Sequence, residues 1–411
     1  INMILKHIYY LTCKQIKLGL GTSIHKGKGK PLTHHKSYTR ITVVPLIGAI
    51  IDHHMYEPTE NLFLPLQNYS QYGFTGGMSY LLGAVLRNEC EAWAVDTKQT
   101  LFMVTCDGDS AFDVTDRDIQ VRELYENGED GDTWLYSRSL YQNTECAIKA
   151  DDKISRTFQE NLGSRQGHKK SSGHYKQYNN PIQKELNESE LGFSIGKHNI
   201  SNIAVADDLL GVSNNPHNLQ IILNKIANYG RKYRVEFSAK KMKITVVGSK
   251  VDQKYWQDTS PWVMNGIKIE VTENNDYLGQ VISGNNPTQK NVDLNMDKAR
   301  KCLFSLMGCP ISYHSEVNPT VQHSTWIIYI CPILQSGLSS LVIQPQSVPM
   351  KSLELFQRKV LRGILGFSSR SPISGIHFLL GELPISGKSI ETVWLYSGRY
   401  GKTRTHLCIK S

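Results

Sequence analysis

Several short stretches in which apolar residues run together or alternate with polar ones predict strands. Buried strands are predicted at 100–106 (TLFMVTC) and at 243–248 (KITVVG). Residues 19–37 are rich in Gly, Lys, His and Ser and predict a basic loop, which leads into a strand at 38–48 (YTRITVVPLIG).

Other stretches place apolar residues three or four positions apart, the spacing of one face of a helix. Helices are predicted at 76–94 and at 117–128. A third helix is predicted to follow a loop that begins at Glu160 and to extend through Glu190. Asn215 and Pro216 supply an N-cap and a first-turn proline for another helix, and the pattern is mostly helical from about Asn291 onward. Strands alternate with helices up to about Gly284, which predicts an α+β catalytic region followed by a helical appendage.

Two predicted hairpins differ in the residues at their turns. One turns on Asn265-Gly266, a dipeptide that favours a tight turn. The other, at 199–213 (NISNIAVADDLLGVS), turns on two adjacent carboxylates, Asp207 and Asp208, which repel each other. A solvated turn whose aspartates bond their own backbone is one explanation, and a divalent metal ion that offsets the repulsion is the other.

A third carboxylate, Asp107, directly follows the buried strand at 100–106. Carboxylates at strand ends and hairpin tips sit on stiff supports and can converge from adjacent strands. Convergence of Asp107 with Asp207 and Asp208 predicts a site for two Mg²⁺ ions about 4 Å apart, where one activates a hydroxyl nucleophile and the other neutralises a leaving phosphate.

Composition narrows the class of protein without identifying it. The chain has 411 residues, a formal net charge of +9 and an isoelectric point near 9.0, which suits a polyanionic partner such as nucleic acid. Its eight cysteines are scattered without a C-x-x-C pair, so neither a zinc ribbon nor a disulfide framework is indicated and a reducing compartment is expected. No stretch of eighteen apolar residues occurs, and no membrane span is predicted.

Five short motifs follow one another in an order that resembles a known family. They are CDGDSAFD, SRQGHKKSSGHYK, VADD, FSAKKMK and YLG. In this order and context the chain resembles the reverse transcriptases of non-LTR (LINE-type) retrotransposons, from about Lys26 to Gly284 and more weakly in the helical tail. Each motif is modest alone, but five in order are specific.

The resemblance implies an α+β right-hand polymerase with fingers, palm and thumb. The corresponding boundaries are an N-terminal extension at 1–25, fingers at 26–95, a palm with part of the fingers at 96–284, and a helical thumb and C-terminal region at 285–411. The implied activity is that of an RNA-directed DNA polymerase, which extends a 3′-hydroxyl primer on an RNA template by two-metal nucleotidyl transfer.

The resemblance also implies the catalytic and metal-binding residues. The implied metal ligands are Asp107, Gly108 through its backbone carbonyl, Asp207 and Asp208. Lys241 matches the lysine that protonates the pyrophosphate leaving group, and Lys240 is the competing assignment. The implied cofactor is a pair of Mg²⁺ ions, with Mn²⁺ as a substitute.

A second set of residues matches positions that bind the nucleotide. Phe112 matches the bulky residue that blocks a ribose 2′-hydroxyl, and it can also be a core aromatic. Gln166 and Gly167 match the motif that lies against the incoming nucleotide and the template. Arg40, with Lys36 nearby, resembles the cation of the fingers that holds the triphosphate, although SYTRIT carries an extra residue at this point.

The implied partners are an RNA template, a DNA primer or nicked target, and deoxynucleoside triphosphates. The expected location is intracellular, in the cytoplasm or the nucleus. Departures from the family pattern occur at Val205, Lys169, Lys170 and Thr75. Because copies of such elements decay, the alternative function is a catalytically decayed or domesticated remnant that binds nucleic acid.

Two further alternatives stay open. An RNA-dependent RNA polymerase shares the palm, but those enzymes usually carry an aspartate where Phe112 stands and Gly-Asp-Asp where this chain has Ala206-Asp207-Asp208. A translated fragment that does not fold stably is the other.

Overall fold

The computed structural model describes residues 14–27, 29–34, 37–106, 108, 111–150, 152–307, 317–341 and 343–387. They form two compact units, one drawn from residues 1–83 and 93–272 and the other from 84–92 and 273–411. Both helices and sheets are present, which confirms the α+β class. Lys36 and Asp107 lie outside the described residues.

The strands form several sheets. In chain order they are β1 Leu18–His25, β2 Tyr38–Val43, β3 Leu101–Cys106, β4 Thr144–Ala150, β5 Lys153–Ile154, β6 Phe158–Glu160, β7 Phe193–Ile195, β8 His198–Ile200, β9 Asn202–Val205, β10 Asp208–Ser213, β11 Lys243–Val247, β12 Val263–Met264, β13 Ile267–Lys268, β14 Glu270–Val271, β15 Asn274–Tyr277 and β16 Gln280–Ser283.

The helices are concentrated between the strands and after β16. In chain order they are α1 Lys14–Lys17, α2 Leu46–Phe63, α3 Tyr80–Asp96, α4 Ala111–Val114, α5 Arg117–Glu126, α6 Gly131–Tyr141, α7 Lys169–Glu188, α8 Pro216–Tyr233, α9 Lys250–Thr259, α10 Pro287–Met307, α11 Pro319–Thr325, α12 Cys331–Gln335, α13 Val348–Ile364 and α14 Ile373–Leu380. Short 3₁₀ turns occupy Leu64–Leu66 and Leu338–Ser340, and a π-helical turn occupies Trp326–Ile330.

The first unit is built on a sheet with the strand order β14-β11-β3-β10-β9. The prediction of a buried strand at 100–106 is confirmed, because β3 lies in the centre of this sheet with antiparallel neighbours on both sides. The predicted strand at 243–248 is confirmed as β11. Central strands are covered on both faces, which explains why β3 reads as a continuous apolar run.

Helix α8 covers this sheet with one apolar face, as its spacing predicts. Leu219, Ile222 and Ile226 are fully buried in the same core as residues of β3 and β11. The Asn215 side chain caps the helix by accepting hydrogen bonds from the backbone N–H groups of His217 (2.8 Å) and Asn218 (3.4 Å). The predicted cap and helix are both confirmed.

A second sheet has the order β2-β1-β4-β5, with β6 paired to β4. The prediction of a basic loop over 19–37 is wrong in its first part, because Leu18–His25 is a strand. Its glycines fit a tight packing position: a Cβ added at Gly19 would lie 2.7 Å from a methyl group of Thr42.

The predicted strand at 38–48 is too long. Strand β2 ends at Val43, and α2 begins at Leu46 after Pro45, which adopts an extended conformation (φ −58°, ψ 141°). The apolar run continues across this boundary, so its pattern alone does not separate the strand from the first turn of the helix.

The remaining predicted elements are confirmed within a few residues. Helices α3 and α5 match the predictions at 76–94 and 117–128, and α7 follows a loop as expected. Asn265 and Gly266 both have positive φ (50° and 77°) at the turn between β12 and β13. None of the described helices has the length and apolar content needed to cross a membrane.

The second unit is mostly helical and has a core of its own. Helices α10 and α13 and the segment 326–338 supply most of the buried apolar side chains, among them Val292, Trp326 and Leu353. The prediction of a helical region from about Asn291 is therefore confirmed.

Candidate active site

The two adjacent aspartates lie at the tip of the hairpin between β9 and β10. Val205 pairs with Asp208, so Ala206 and Asp207 form a two-residue turn. Ala206 has a φ of +59°, a conformation that disfavours residues with a side chain. Asp207 and Asp208 are half-buried. The predicted hairpin is confirmed, and its carboxylates are held on a rigid support.

The end of β3 lies beside this turn. Cys106 pairs with Leu209, the residue after Asp208. Gly108 is buried and pairs with Phe237 across an isolated bridge. Because Asp107 lies outside the described residues, its convergence with the two hairpin aspartates stays a prediction.

Gly108 and Asp207 line the same small cavity. Its other walls include Tyr175, Asn179 and Phe237. The structure thus brings together two of the four predicted metal ligands, and a third, Asp208, is the next residue of the turn.

The donor atoms at this cavity suit a hard divalent cation. Carboxylate and backbone carbonyl oxygens are the ligands that Mg²⁺ and Mn²⁺ prefer, and no sulfur or imidazole ligand is among the four predicted residues. Among the described residues no group of three His, Cys, Asp or Glu side chains could hold a metal ion. The predicted cluster needs Asp107, which the described residues do not include.

Phe112 lies in an aromatic group next to the turn. Its ring stacks on Tyr175 with centroids 4.0 Å apart and meets Phe74 edge-on at 5.8 Å. Tyr175 is buried, and burial together with the nearby charge of Asp207 raises the pKa of its hydroxyl. Phe112 itself is half-buried in α4, and Tyr175, on which it stacks, lines the cavity of Asp207.

Gln166 and Gly167 lie between β2 and α4. The Gln166 side chain accepts a hydrogen bond from Thr42 N (3.0 Å) and donates one to Asp113 (3.2 Å), the neighbour of Phe112. Gly167 has a φ of +85°, and a Cβ there would lie 3.1 Å from the Thr42 carbonyl. Gln166 thus links the strand that carries Arg40 to the helix that carries Phe112, and Gly167 packs closely against that strand.

Comparison with known proteins identifies the family. Residues 39–282, more than half of the chain, match the family described as reverse transcriptase (RNA-dependent DNA polymerase). The chain belongs to the reverse transcriptase family. No curated protein matches its sequence.

One similar solved structure agrees with this family in fold. Telomerase from Candida albicans in complex with a fragment of telomeric RNA is similar with a TM-score of 0.50 and 9% identity, over 94% of this chain and 60% of that chain. Apo telomerase from Candida tropicalis, truncated from its C-terminal domain, gives a TM-score of 0.47 and 11% identity, over 69% of this chain and 57% of that chain. The reverse transcriptase therefore spans about three fifths of the length of these two chains, and it has the right-hand polymerase fold.

Arg40, which is predicted to bind the triphosphate in this reverse transcriptase, already forms an ion pair. Arg40 Nη1 lies 2.7 Å from a carboxylate oxygen of Glu160, whose other oxygen is 3.8 Å from Arg117. The Arg40 side chain remains 28% exposed. Binding a phosphate there would require Arg40 to exchange one anionic partner for another.

The two candidate lysines of the reverse transcriptase lie in the loop between α8 and β11, and both are exposed. Lys241 N donates to the Ser238 carbonyl at 2.9 Å. Lys240 lines a cleft that has Phe237 in its wall, and Phe237 also lines the cavity of Asp207. The assignment between Lys240 and Lys241 therefore stays open.

Residues 70–73 adjoin the turn, and the sequence patterns did not mark them. Tyr72 N donates to the Ala204 carbonyl (2.8 Å), and Ala204 N donates to the Ser70 carbonyl (2.9 Å). A Cβ added at Gly73 would clash with the backbone N of Ala206. The position of Gly73 between two aromatic residues is the one local signal in the sequence for such a close approach. The neighbouring residues do not indicate that its partner is Ala206.

Proposed function

We propose that this reverse transcriptase is the RNA-directed DNA polymerase of a non-LTR (LINE-type) retrotransposon. It would extend the 3′-hydroxyl of a DNA primer or nicked target on an RNA template. The observation that carries the proposal is the hairpin tip, where Asp207 shares a cavity with Gly108 and Asp208 lies one residue from the pairing partner of Cys106. The order of the five motifs supports the non-LTR origin.

The reaction joins the primer O3′ to the α-phosphorus of a deoxynucleoside triphosphate and breaks the bond to the β-phosphate, which releases pyrophosphate. Two Mg²⁺ ions, or Mn²⁺, held by Asp107, Gly108, Asp207 and Asp208, would supply hydroxyl activation and charge neutralisation. The protein itself contributes mainly positioning, because Asp207 and Asp208 are held at the turn between two paired strands.

Other side chains have proposed roles in binding the nucleotide. The Phe112 ring would exclude a ribose 2′-hydroxyl, and Gln166 with Gly167 would lie against the base pair that forms. Arg40 and Lys36 would bind the triphosphate, and Lys241 would donate a proton to the leaving pyrophosphate. The proposed domains are an N-terminal extension at 1–25, fingers at 26–95, palm at 96–284 and thumb at 285–411. The proposed location is the cytoplasm or the nucleus.

The test is primer extension on a homopolymer RNA template with Mg²⁺ or Mn²⁺. We expect Asp207→Asn to abolish extension, because the substitution removes the negative charge of a metal ligand. The thermal unfolding midpoint should stay close to that of the parent, because the change is confined to one side chain at a turn. Asp258→Asn, at an exposed position of α9, is the matched control and should extend normally.

Extension by the Asp207→Asn variant at the parent rate would overturn the assignment. A parent chain that binds RNA but does not extend a primer would favour the alternative, a decayed or domesticated nucleic-acid-binding remnant.

A further inference from the structure

One buried side chain contacts both backbone polar groups of Ala206, the residue that precedes Asp207. Gln71 is 2% exposed, and its Oε1 accepts hydrogen bonds from Ala206 N (2.9 Å) and from Gly73 N (2.8 Å). Its Nε2 lies 3.3 Å from the Ala206 carbonyl and donates to it. A single amide thus satisfies both the donor and the acceptor of Ala206.

The position of Gln71 is itself fixed by its backbone. Gln71 N donates to the Asn68 carbonyl (3.1 Å), its carbonyl accepts from Gln67 Nε2 (3.1 Å), and the residue bridges to Ala204 of β9. The side chain therefore approaches the turn from a backbone that is already ordered, so the entropy cost of the two contacts comes mainly from its own torsions.

A second amide supports the same carbonyl from the other side. Asn179 Nδ2 lies 3.4 Å from the Ala206 carbonyl, and the Tyr229 hydroxyl donates to Asn179 Oδ1 at 2.9 Å. This contact holds only the carbonyl. Of the two amides, only Gln71 also accepts a hydrogen bond from the Ala206 N–H. It therefore fixes the backbone orientation of the residue that precedes Asp207.

The turn needs such support because Ala206 is held at positive φ. A residue with a Cβ loses about 1 kcal/mol or more in this region relative to its preferred conformations, and it stays there only when the surroundings hold it. Release of Ala206 would rotate the peptide group before Asp207 and move its carboxylate. Metal ligands tolerate displacements of only about 0.5 Å.

We propose that Gln71 is the positioning residue for the metal-binding carboxylate of Asp207. It acts through the backbone of Ala206 and touches neither substrate nor metal. The inference rests on the proposed function for its catalytic consequence, but its effect on metal binding can be measured without any polymerase activity.

The experiment measures Mn²⁺ binding by electron paramagnetic resonance on the full chain. Gln71→Met keeps the shape of the side chain and removes its hydrogen bonds. We expect the dissociation constant for Mn²⁺ to rise about tenfold or more, the usual effect of losing a group that orients a metal ligand. Gln177→Met is the matched control, because Gln177 is a fully buried glutamine of α7 whose amide donates to the Phe63 carbonyl instead. It should bind Mn²⁺ as the parent does.

A second variant separates positioning from loss of packing. In Gln71→Glu, a protonated carboxyl can accept from Ala206 N and donate to the Ala206 carbonyl as the amide does, whereas an ionised one cannot donate and repels Asp207. At about pH 5.5, where a carboxyl this buried is protonated, Gln71→Glu should therefore bind Mn²⁺ more tightly than Gln71→Met does.

Parent-like Mn²⁺ affinity in a folded Gln71→Met variant would overturn the inference, as would a Gln71→Glu variant that binds Mn²⁺ no more tightly than Gln71→Met does at about pH 5.5. If the parent binds Mn²⁺ but never extends a primer, and Gln71→Met still weakens that binding, the proposed function fails and the positioning role stands. If primer extension is present, Gln71→Met should lower kcat about tenfold or more with a KM for nucleotide changed much less.

Discussion

Lys170 is one of the residues predicted to depart from the non-LTR pattern, and its side chain is fully buried. Its ammonium lies 2.7 Å from Glu129 and 3.0 Å from Ser137, and 5.6 Å from the centre of the Tyr136 ring. A buried lysine without an anionic partner would destabilise the fold by several kcal/mol, but this one is paired. The charge of this buried lysine is therefore compensated by neighbouring residues.

A substitution at Phe112 tests its predicted role at the scale of one side chain. Phe112→Ala would remove the ring that stacks on Tyr175, which opens space next to the carboxylate turn. We expect discrimination against ribonucleotides to fall by about tenfold or more, because excluding one hydroxyl through shape amounts to a few kcal/mol. The measurement is single-nucleotide incorporation of deoxynucleotide and ribonucleotide by the parent and the variant.

Phe74→Ala removes the other ring that meets Phe112 and serves as the control for lost aromatic packing. A Phe112→Ala variant that discriminates as well as the parent would contradict the role of a steric gate.

Helix α3 carries a buried ion pair that belongs to the second unit. Arg87 Nε lies 3.5 Å from Glu91, and Arg87 Nη2 donates to Gln280 at 2.7 Å. Gln280 in turn donates to the Gly337 carbonyl (3.0 Å) and to Ser340 (2.7 Å). The polar network therefore ties residues 84–92 to chain segments that follow much later in the sequence.

The pH dependence of stability tests this network at the scale of the helix. Burial raises the pKa of Glu91 from 4.5 to about 7, against the opposing effect of Arg87. Between these values the folded chain holds a proton that the unfolded chain releases. The contribution of Glu91 is therefore complete below pH 4.5 and is lost as the pH rises to about 7.

The glutamine in Glu91→Gln does not titrate, so the folded variant takes up no proton at this position. Relative to the parent, the free energy of unfolding of the variant should increase by up to about 3 kcal/mol as the pH rises across this range. Urea unfolding at a series of pH values measures the change. The loss of Arg87's partner adds an offset that does not depend on pH, and Glu126→Gln on the exposed face of α5 is the control for a lost charge. Parallel curves for parent and Glu91→Gln would contradict the raised pKa.

Elements were predictable from the sequence where one local pattern decides the structure. The apolar run of β3 and the cap at Asn215 are such cases, because burial on both faces and an N-cap each leave a direct signature. Strand β1 was missed because its glycines resemble a loop until Thr42 and Arg40 are packed against them. The role of Gln71 depends on a contact with Ala206, 135 positions away, so no local pattern could reveal it.

At the scale of the whole molecule the net charge of +9 favours binding to nucleic acid. Affinity for an RNA–DNA hybrid should fall at least about tenfold between 50 and 200 mM salt, because each neutralised phosphate releases counterions. Fluorescence anisotropy with a labelled duplex measures this, and Asp207→Asn should bind with the same salt dependence as the parent. An affinity that does not change with salt would contradict an electrostatic contribution to binding.

The division of the second unit into residues 84–92 and 273–411 has a consequence for synthesis on the ribosome. Arg87 emerges 193 residues before Gln280, a delay of about 10–40 s at ordinary elongation rates. During that time Arg87 lacks its hydrogen bond to Gln280. A chain that ends before residue 273 never forms this bond, so we expect such shortened chains to be cut by proteases more readily than the full chain.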